Sequence, residues 1–313
     1  MVTLVQLEYV IAVDTYRHFA TAAEKCFVTQ PTLSMQLKKL EEELGIIIFD
    51  RSKQPVIPTD IGKAVIKQAR SVLSEVRKLH DTIDFFQQKI SGELKIGIIP
   101  TLAPYLLPRF IGDFVKTYPD LKVHIKELLT EEIVEYLHKD LIDVGILVTP
   151  LHEDGIIAKP MFYEGIQVYP HPEHRFANQS QVNMAEIADP EIWLLNEGHC
   201  FRNQVLNLCS YLNLQQHSLP IEYASGSLDT LIKLVDKEGG FTLLPELAVE
   251  DLPINKRVQV KTFIDSFPLR EVSLVYARSF VKEKLIGILE QAIQQSIPEP
   301  MLSANRGTLV EWQ

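Results

Sequence analysis

Seven apolar residues between Val65 and Phe86 set the frame for the whole chain. Val65, Ala69, Val72, Val76, Leu79, Ile83 and Phe86 step by 4, 3, 4, 3, 4 and 3, an a/d heptad repeat held over about three heptads. A helix packed on its own domain would show a broader apolar stripe. So narrow a seam predicts instead a second helix against it, that is, pairing of two copies. Ser91-Gly92 breaks the helix, leaving a short segment before it and a long one after. At 313 residues the chain also exceeds the size at which one core keeps growing, so two or more domains are expected.

In the short segment Leu4, Leu7, Val10 and Ile11 recur at helical spacing and open a helix that ends near Arg17-His18. A second, short helix carries the small residues Ala20, Ala22 and Ala23, which permit close packing of a neighbour. Thr29 then serves as N-cap and Pro31 occupies the first turn of a third helix, where its missing N–H costs nothing. Leu33, Leu37, Leu40 and Leu44 form the buried stripe of that helix; Pro31, Met35, Lys38 and Lys39 fall on the opposite side, with Thr32 and Ser34 on the flanks. Gly45 closes it. Ile46–Phe49, the polar run Asp50–Pro55 and Val56–Pro58 read as strand, turn and strand.

Beyond Ser91-Gly92 strands and helices alternate: Leu94–Ile99, Leu106–Tyr118, Val123–Leu128, Glu131–Lys139 and Asp143–Val148. A second half follows, with a strand at Ile166–Tyr169, helices at Arg202–Leu212 and Leu228–Lys237, and a strand at Phe241–Leu244. Val272–Tyr276 (strand) and Val281–Ser296 (helix) end the pattern, and the remaining tail lacks periodicity and is expected to be poorly ordered. Such alternation predicts an α/β fold with a largely parallel sheet.

Net charge is −10, but it is unevenly spread: residues 1–90 hold 12 of the 31 Lys+Arg and 11 of the 41 Asp+Glu. The first segment is thus near neutral and the rest strongly acidic, which is compatible with a nucleic-acid reader joined to an acidic sensor, because phosphate contact needs local basic groups only. A helix-turn-helix places the N-terminal half of its second helix in the major groove. Gln30, Pro31, Thr32, Ser34, Met35 and Lys38 are placed for that role, with Arg51 and Lys53 of the wing on backbone phosphate. A three-helix packing module that binds no DNA would account for the leucine stripe but not for the basic wing or the pairing helix. No leader precedes an apolar core and no run of eighteen apolar residues occurs, so a soluble, cytoplasmic protein without a membrane segment is expected.

Three cysteines are too few for a disulfide framework. Cys200 opens a helix-like run that ends in Cys209; on one continuous helix the pair would stand roughly 13 Å apart, beyond the ~7 Å Cα limit for a disulfide, so bonding them requires remodelling. A thiol at a helix N-terminus beside His199 and Arg202 is expected to have a lowered pKa, making Cys200 the better nucleophile and Cys209 a partner able to capture its sulfenic acid. Read from spacing alone, both cysteines could equally be small buried hydrophobes, the simplest account of Cys26. A zinc site from His199, Cys200, Cys209 and His217 lacks the close cysteine pairing such sites use. No cofactor is expected.

Residues 1–65 resemble the DNA-binding domain of LysR-type regulators. The resemblance is carried by Phe19-Ala20-Thr21-Ala22-Ala23, Val28-Thr29-Gln30-Pro31-Thr32-Leu33-Ser34, Lys38-Lys39-Leu40-Glu41, Leu44-Gly45, Phe49-Asp50-Arg51 and Thr59-Asp60-Ile61-Gly62. Asp60-Ile61 departs from the small residues usual there. The resemblance implies a winged helix-turn-helix at 1–58, a linker helix for dimerisation at 59–90, and a regulatory domain at 91–300 made of two α/β subdomains like periplasmic binding proteins. Subdomain I would comprise 91–163 and 268–300, subdomain II 164–267, and a tail 301–313.

Leu195–Gln204 with Cys209, Ser227–Leu231 and Gly240–Pro245 further resemble the hydrogen-peroxide-sensing members of that family. This implies that Cys200 is peroxidatic and Cys209 resolving, that Thr101, Thr130 and His199 line the peroxide pocket, and that Arg270 lowers the thiol pKa. Expected partners are double-stranded DNA, hydrogen peroxide as signal, a second copy through the linker helix, a homotetramer and RNA polymerase. Two other readings stand beside it: a regulator that binds a small organic ligand in the cleft between subdomains, and a thiol peroxidase, which would leave the reader and the heptad helix without purpose.

Overall fold

The computed structural model describes residues 1–86, 90–151, 153–208, 226–264, 266–277 and 283–311. The chain divides into two compact units, one reaching to Lys89 and one starting at Ile90.

The first unit begins with α1, Leu4–Tyr16, whose N-terminus is closed by a capping box: Thr3 accepts from the Gln6 N–H while the Gln6 side chain accepts from the Thr3 N–H. Short α2, Phe19–Lys25, buries Ala22 and Ala23. In α3, Gln30–Leu44, Thr29 caps the first turn, Pro31 sits inside it, and Gly45 ends the helix at φ 66°. Leu33, Leu37 and Leu40 lie in the core with Val10, Val13, Ile48 and Phe49, and half-buried Cys26 packs against them. Leu44 departs from the expected stripe and is 40% exposed, as the last residue before Gly45 ends the helix.

The wing is smaller than its sequence suggested. Only Phe49–Asp50 (β1) and Ile57–Pro58 (β2) pair, antiparallel, with Phe49 opposite Pro58. Helix α4, Asp60–Phe86, leaves directly from it. A Cβ on Gly62 would stand 2.1 Å from the Ile48 carbonyl oxygen, so only glycine lets the helix start this close to the wing. Ile66 and Ala69 are buried in this unit, Arg70 pairs with Asp14 of α1 at 2.8 Å, and Val72 and Val76 are left half-exposed. The side chains of Leu79, Ile83 and Phe86 lie outside the described part.

The second unit is built on a sheet of order β4-β3-β5-β10-β6-β8 with β11 beside β10. Its elements are β3 (Gly92–Ile98), α5 (Ala103–Thr117), β4 (Leu121–Glu127), α6 (Thr130–His138), β5 (Val144–Thr149), β6 (Ile156–Pro170), β7 (Gln181–Val182), α7 (Cys200–Leu208), α8 (Leu228–Glu238), β8 (Phe241–Pro245), α9 (Glu246–Glu250), α10 (Ile254–Arg257), β9 (Thr262–Phe263), β10 (Pro268–Ala277), α11 (Glu283–Ser296) and β11 (Thr308–Leu309). The sheet is mixed and not largely parallel: β3 pairs in parallel with β4 and β5, while β10 runs antiparallel to β5 and β6, and β6 antiparallel to β8. The reason is β6, a continuous strand of 15 residues of which the sequence pattern revealed only the end. Strand β10 returns along it from Leu269↔Gly165 to Ala277↔Ile156, so both strands cross from one half of the unit to the other.

As far as residue 311 the tail is ordered, against expectation. Two 3-10 turns, Glu299–Leu302 and Ala304–Arg306, lead into β11.

Candidate functional site

Cys200 is the first residue of α7 and is buried. Gly198, at φ 90°, makes the turn into the helix, so the backbone favours glycine there, and a Cβ would also stand a tight 3.1 Å from the Leu129 side chain. Two groups from distant elements act on the thiol, Thr130, the first residue of α6, and Arg270 of β10, and the turn before α5 brings Thr101 to Arg270. Thr101, Thr130 and Arg270 are all buried.

Arg270 holds the group together. Its Nη1 donates to the Thr101 hydroxyl and its Nη2 to the Thr101 carbonyl, both at 3.1 Å, and its guanidinium carbon lies 5.1 Å from the centre of the Phe201 ring. The buried Thr130 hydroxyl meets no hydrogen-bond partner among the described residues, and it lies close enough to Cys200 to favour the thiolate. Thr101, Thr130, Cys200 and Arg270 are thus brought together from positions up to 169 residues apart. His199 is buried beside them in sequence, but its ring faces Gly226: a Cβ there would be 3.4 Å from its Nε2 and 3.8 Å from Asn196 Oδ1. Cys209 falls outside the described residues.

Sequence reasoning missed the group that controls Arg270. Glu164 of β6 is fully buried, accepts from Arg270 Nε at 2.7 Å and Nη2 at 2.5 Å, and accepts the Leu247 N–H with its other oxygen. A buried guanidinium needs such a partner, but nothing in the sequence around Glu164 signals it.

Burial reverses the expected direction of the thiol. Burial pushes the Cys200 thiol up; Arg270 first, then Thr130 and the N–H groups of Phe201 and Cys200, pull it down without overcoming that cost. The two cationic neighbours read from sequence do not help. Burial lowers the pKa of His199 and keeps the ring neutral, and Arg202 donates to the Leu195 carbonyl at 2.8 Å.

On the first unit Gln30, Pro31, Met35, Lys38 and Lys53 are exposed, and Thr32 and Ser34 half-buried. Thr32 shares a 2.8 Å hydrogen bond with Thr29. Arg51 is engaged inside the unit: it donates to Ser34 Oγ and to Glu41 Oε2 and lies over the Phe19 ring. Glu41 also accepts the Ile48 N–H, so the pair ties α3 to the wing. Phe27, 96% exposed in the turn before α3, carries no sequence signal that would have singled it out.

Residues 4–63 match the model for the bacterial regulatory helix-turn-helix protein, lysR family, and residues 87–295 match that for the LysR substrate binding domain. The chain belongs to the LysR family. This LysR-family chain is 36% identical over 270 residues to the hydrogen peroxide-inducible genes activator of Haemophilus influenzae, covering 86% of this chain and 89% of that protein. It is 36% identical over 272 residues to the DNA-binding transcriptional dual regulator OxyR of Escherichia coli, covering 86% and 88%. Among solved structures, full-length OxyR of Pseudomonas aeruginosa with a cysteine-to-aspartate substitution superposes with a TM-score of 0.77 at 32% identity, over 94% of this chain and 98% of that one. A Corynebacterium glutamicum OxyR cysteine mutant with hydrogen peroxide bound gives a TM-score of 0.62 at 30% identity, over 94% and 92%. Among the described residues of the LysR-family chain no helix is long and apolar enough to cross a membrane.

Proposed function

We propose that this protein is a hydrogen-peroxide-responsive transcription regulator of oxidative-stress genes, not an enzyme, switched by a disulfide between Cys200 and Cys209. The observation that carries the reading is a buried thiol at the start of α7 on which Arg270 and Thr130 act, with Thr101 held on Arg270, in a chain whose relatives bear the name of peroxide-inducible activators.

The chemistry balances without a cofactor. The Cys200 thiolate attacks one peroxide oxygen; the O–O bond breaks, an S–O bond forms, and the departing hydroxide takes a proton to leave as water. Cys209 then attacks the sulfenic sulfur, the S–O bond breaks, and a second water leaves with the Cys209 proton. Sulfur is oxidised and peroxide reduced to two waters. Thr101 and Thr130 with His199 would orient the peroxide, and Arg270 would favour the thiolate.

Helix α7 makes this bond a conformational event. Across α7 the Cα atoms of Cys200 and Leu208 stand about 12 Å apart, and the next Cα is bonded at ~3.8 Å. While the helix is intact, position 209 therefore stays beyond ~8 Å from Cys200, outside the ~7 Å disulfide limit. Oxidation must unwind part of α7, giving a two-state element that a single bond biases.

The exposed face of α3, with Gln30, Pro31, Thr32, Ser34, Met35 and Lys38, would read the major groove of double-stranded DNA, with Lys53 and Arg51 at phosphate. Two readers would be paired through α4 in a cytoplasmic homodimer that assembles to a homotetramer, and activation would run through RNA polymerase. The test is a non-reducing mass map before and after stoichiometric peroxide. A Cys200–Cys209 crosslink, lighter by two hydrogens, is expected; retention of both thiols overturns the reading. In Cys200→Ser the protein should keep DNA binding and lose its peroxide response. A response that persists there would favour a small organic ligand in the cleft between subdomains.

A further inference from the structure

The segment after Arg306 lies between the two elements that make the thiol site. Strand β11 pairs in parallel with the start of β10, Thr308 opposite Pro268 and Leu309 opposite Leu269. The Thr308 N–H donates to the Phe267 carbonyl and the Val310 N–H to that of Leu269, at 2.9 and 2.8 Å. Leu269 immediately precedes Arg270. Gly307 allows this approach, since a Cβ there would stand 2.0 Å from the Phe267 oxygen, and Arg306 pins the turn by pairing with Glu246 and lying over the Phe267 ring.

On its other side the same segment holds α7. Gln204 Nε2 donates to the Val310 carbonyl at 3.0 Å, and Asn207 Nδ2 to the Glu311 carbonyl at 2.8 Å. Gln204 is fully buried one helical turn beyond Cys200, on the same face, and Asn207 lies in the last turn, the part that must unwind for Cys200 to reach position 209.

We infer that Thr308–Glu311 is a latch on the redox helix: it keeps α7 wound while Cys200 is reduced, sets the rate at which the second cysteine is reached, and is released when the disulfide forms. Gln204 and Asn207 act as positioning residues for that second step and have no part in the first. Unwinding the last turn of α7 removes the geometry of the Asn207 bond, and unwinding through Gln204 removes both anchors. Beyond the turn that Arg306 pins, what remains is a two-residue strand on β10, too short to persist alone. The inference rests on the disulfide reading above, and the experiment separates their failures.

The full-length chain is compared reduced and after stoichiometric peroxide by hydrogen exchange at the Thr308 and Val310 amides, with the crosslink counted by mass in the same samples. The latch predicts protection in the reduced protein and exchange at least about tenfold faster in the crosslinked one, with no change in peroxide-treated Cys200→Ser. A crosslink with unchanged protection overturns the latch and leaves the switch standing; absence of a crosslink overturns the switch. A second arm needs no peroxide. Asn207→Ala truncates an exposed side chain and should speed exchange of the α7 amides in the reduced chain about five-fold, the worth of one hydrogen bond. Unchanged exchange there overturns the latch whatever peroxide does. With peroxide, Asn207→Ala should hasten crosslinking by the same factor, while sulfenic acid formation in a Cys209→Ser background stays unaltered.

Discussion

Arg270 and Glu164 form a fully buried ion pair, Nη2 to Oε1 2.5 Å, that joins β10 to β6 directly behind the Cys200 thiol. The guanidinium beside the sulfur is therefore a charge already half spent. Burial outweighs the pull of Arg270 and sets the direction of the thiol's pKa upward.

Replacing Glu164 with Gln should have two opposed effects. It leaves a buried cation unpaired, which costs about 3–5 kcal/mol of stability, to be read as a lower urea midpoint. It also releases the full field of Arg270 onto the sulfur, so the Cys200 pKa should fall; alkylation rate against pH, in a chain whose other cysteines are serine, measures it. An unchanged alkylation profile would mean that Glu164 does not screen Arg270 from the thiol.

The buried thiol also predicts a slope of stability with pH. Its folded pKa is raised, so the folded state binds the proton more tightly than the unfolded chain, whose thiol titrates near ~8.5. The contribution is present in full below that value and is lost as pH rises through the folded pKa. Urea midpoints from pH 7 to 10 should fall more steeply for the native chain than for Cys200→Ser.

Arg51 and Lys53 are neighbours in sequence with different work. Lys53→Ala should leave stability within about 0.5 kcal/mol, weaken DNA binding evenly across sequences, and lower the salt slope by about one. Arg51→Ala should in addition lower the stability of the reader by about 1–2 kcal/mol, because it releases Glu41 and Ser34. Equal melting points for the two variants would contradict this.

Gly62→Ala should loosen the wing. Its Cβ cannot coexist with the Ile48 carbonyl at 2.1 Å, so α4 must shift at its root. A loss of about 1–3 kcal/mol is expected by thermal denaturation, with Lys63→Ala, one residue on and exposed, as the near-neutral control.

What could be read from the chain without its structure divides along a physical line. The caps Thr29 and Gly45, Pro31 and the leucines at 33, 37 and 40 are local signals, and the reader was legible from them. Leu44 failed because a stripe does not say where its cover stops. Strand β6 was hidden because its first half, Ile156-Ile157-Ala158-Lys159-Pro160, interrupts the apolar pattern. Glu164 was silent because its partner is 106 residues away. The tail read as disordered because its order is borrowed from the edge of β10 and from amides on α7, and so leaves no period of its own. His199 and Arg202 misled for a related reason: proximity in sequence to Cys200 says nothing of charge state or aim.

The long reach of β10 bears on how the molecule is made. The main core cluster of the reader is complete in sequence by Ile66, whereas the main sheet of the second unit cannot close until β10 supplies the partner of both β5 and β6, at Ala277. At ~5–20 residues per second the roughly 200 intervening residues take about 10–40 s to translate. During that interval a finished reader hangs from the ribosome ahead of an unclosed sensor, with β5 lacking the neighbour that covers its edge. Translation speed through residues 150–277 therefore governs how long that edge is open to chaperones or to wrong partners, an interval in which the main core of the reader, complete within its first sixty-six residues, has no share.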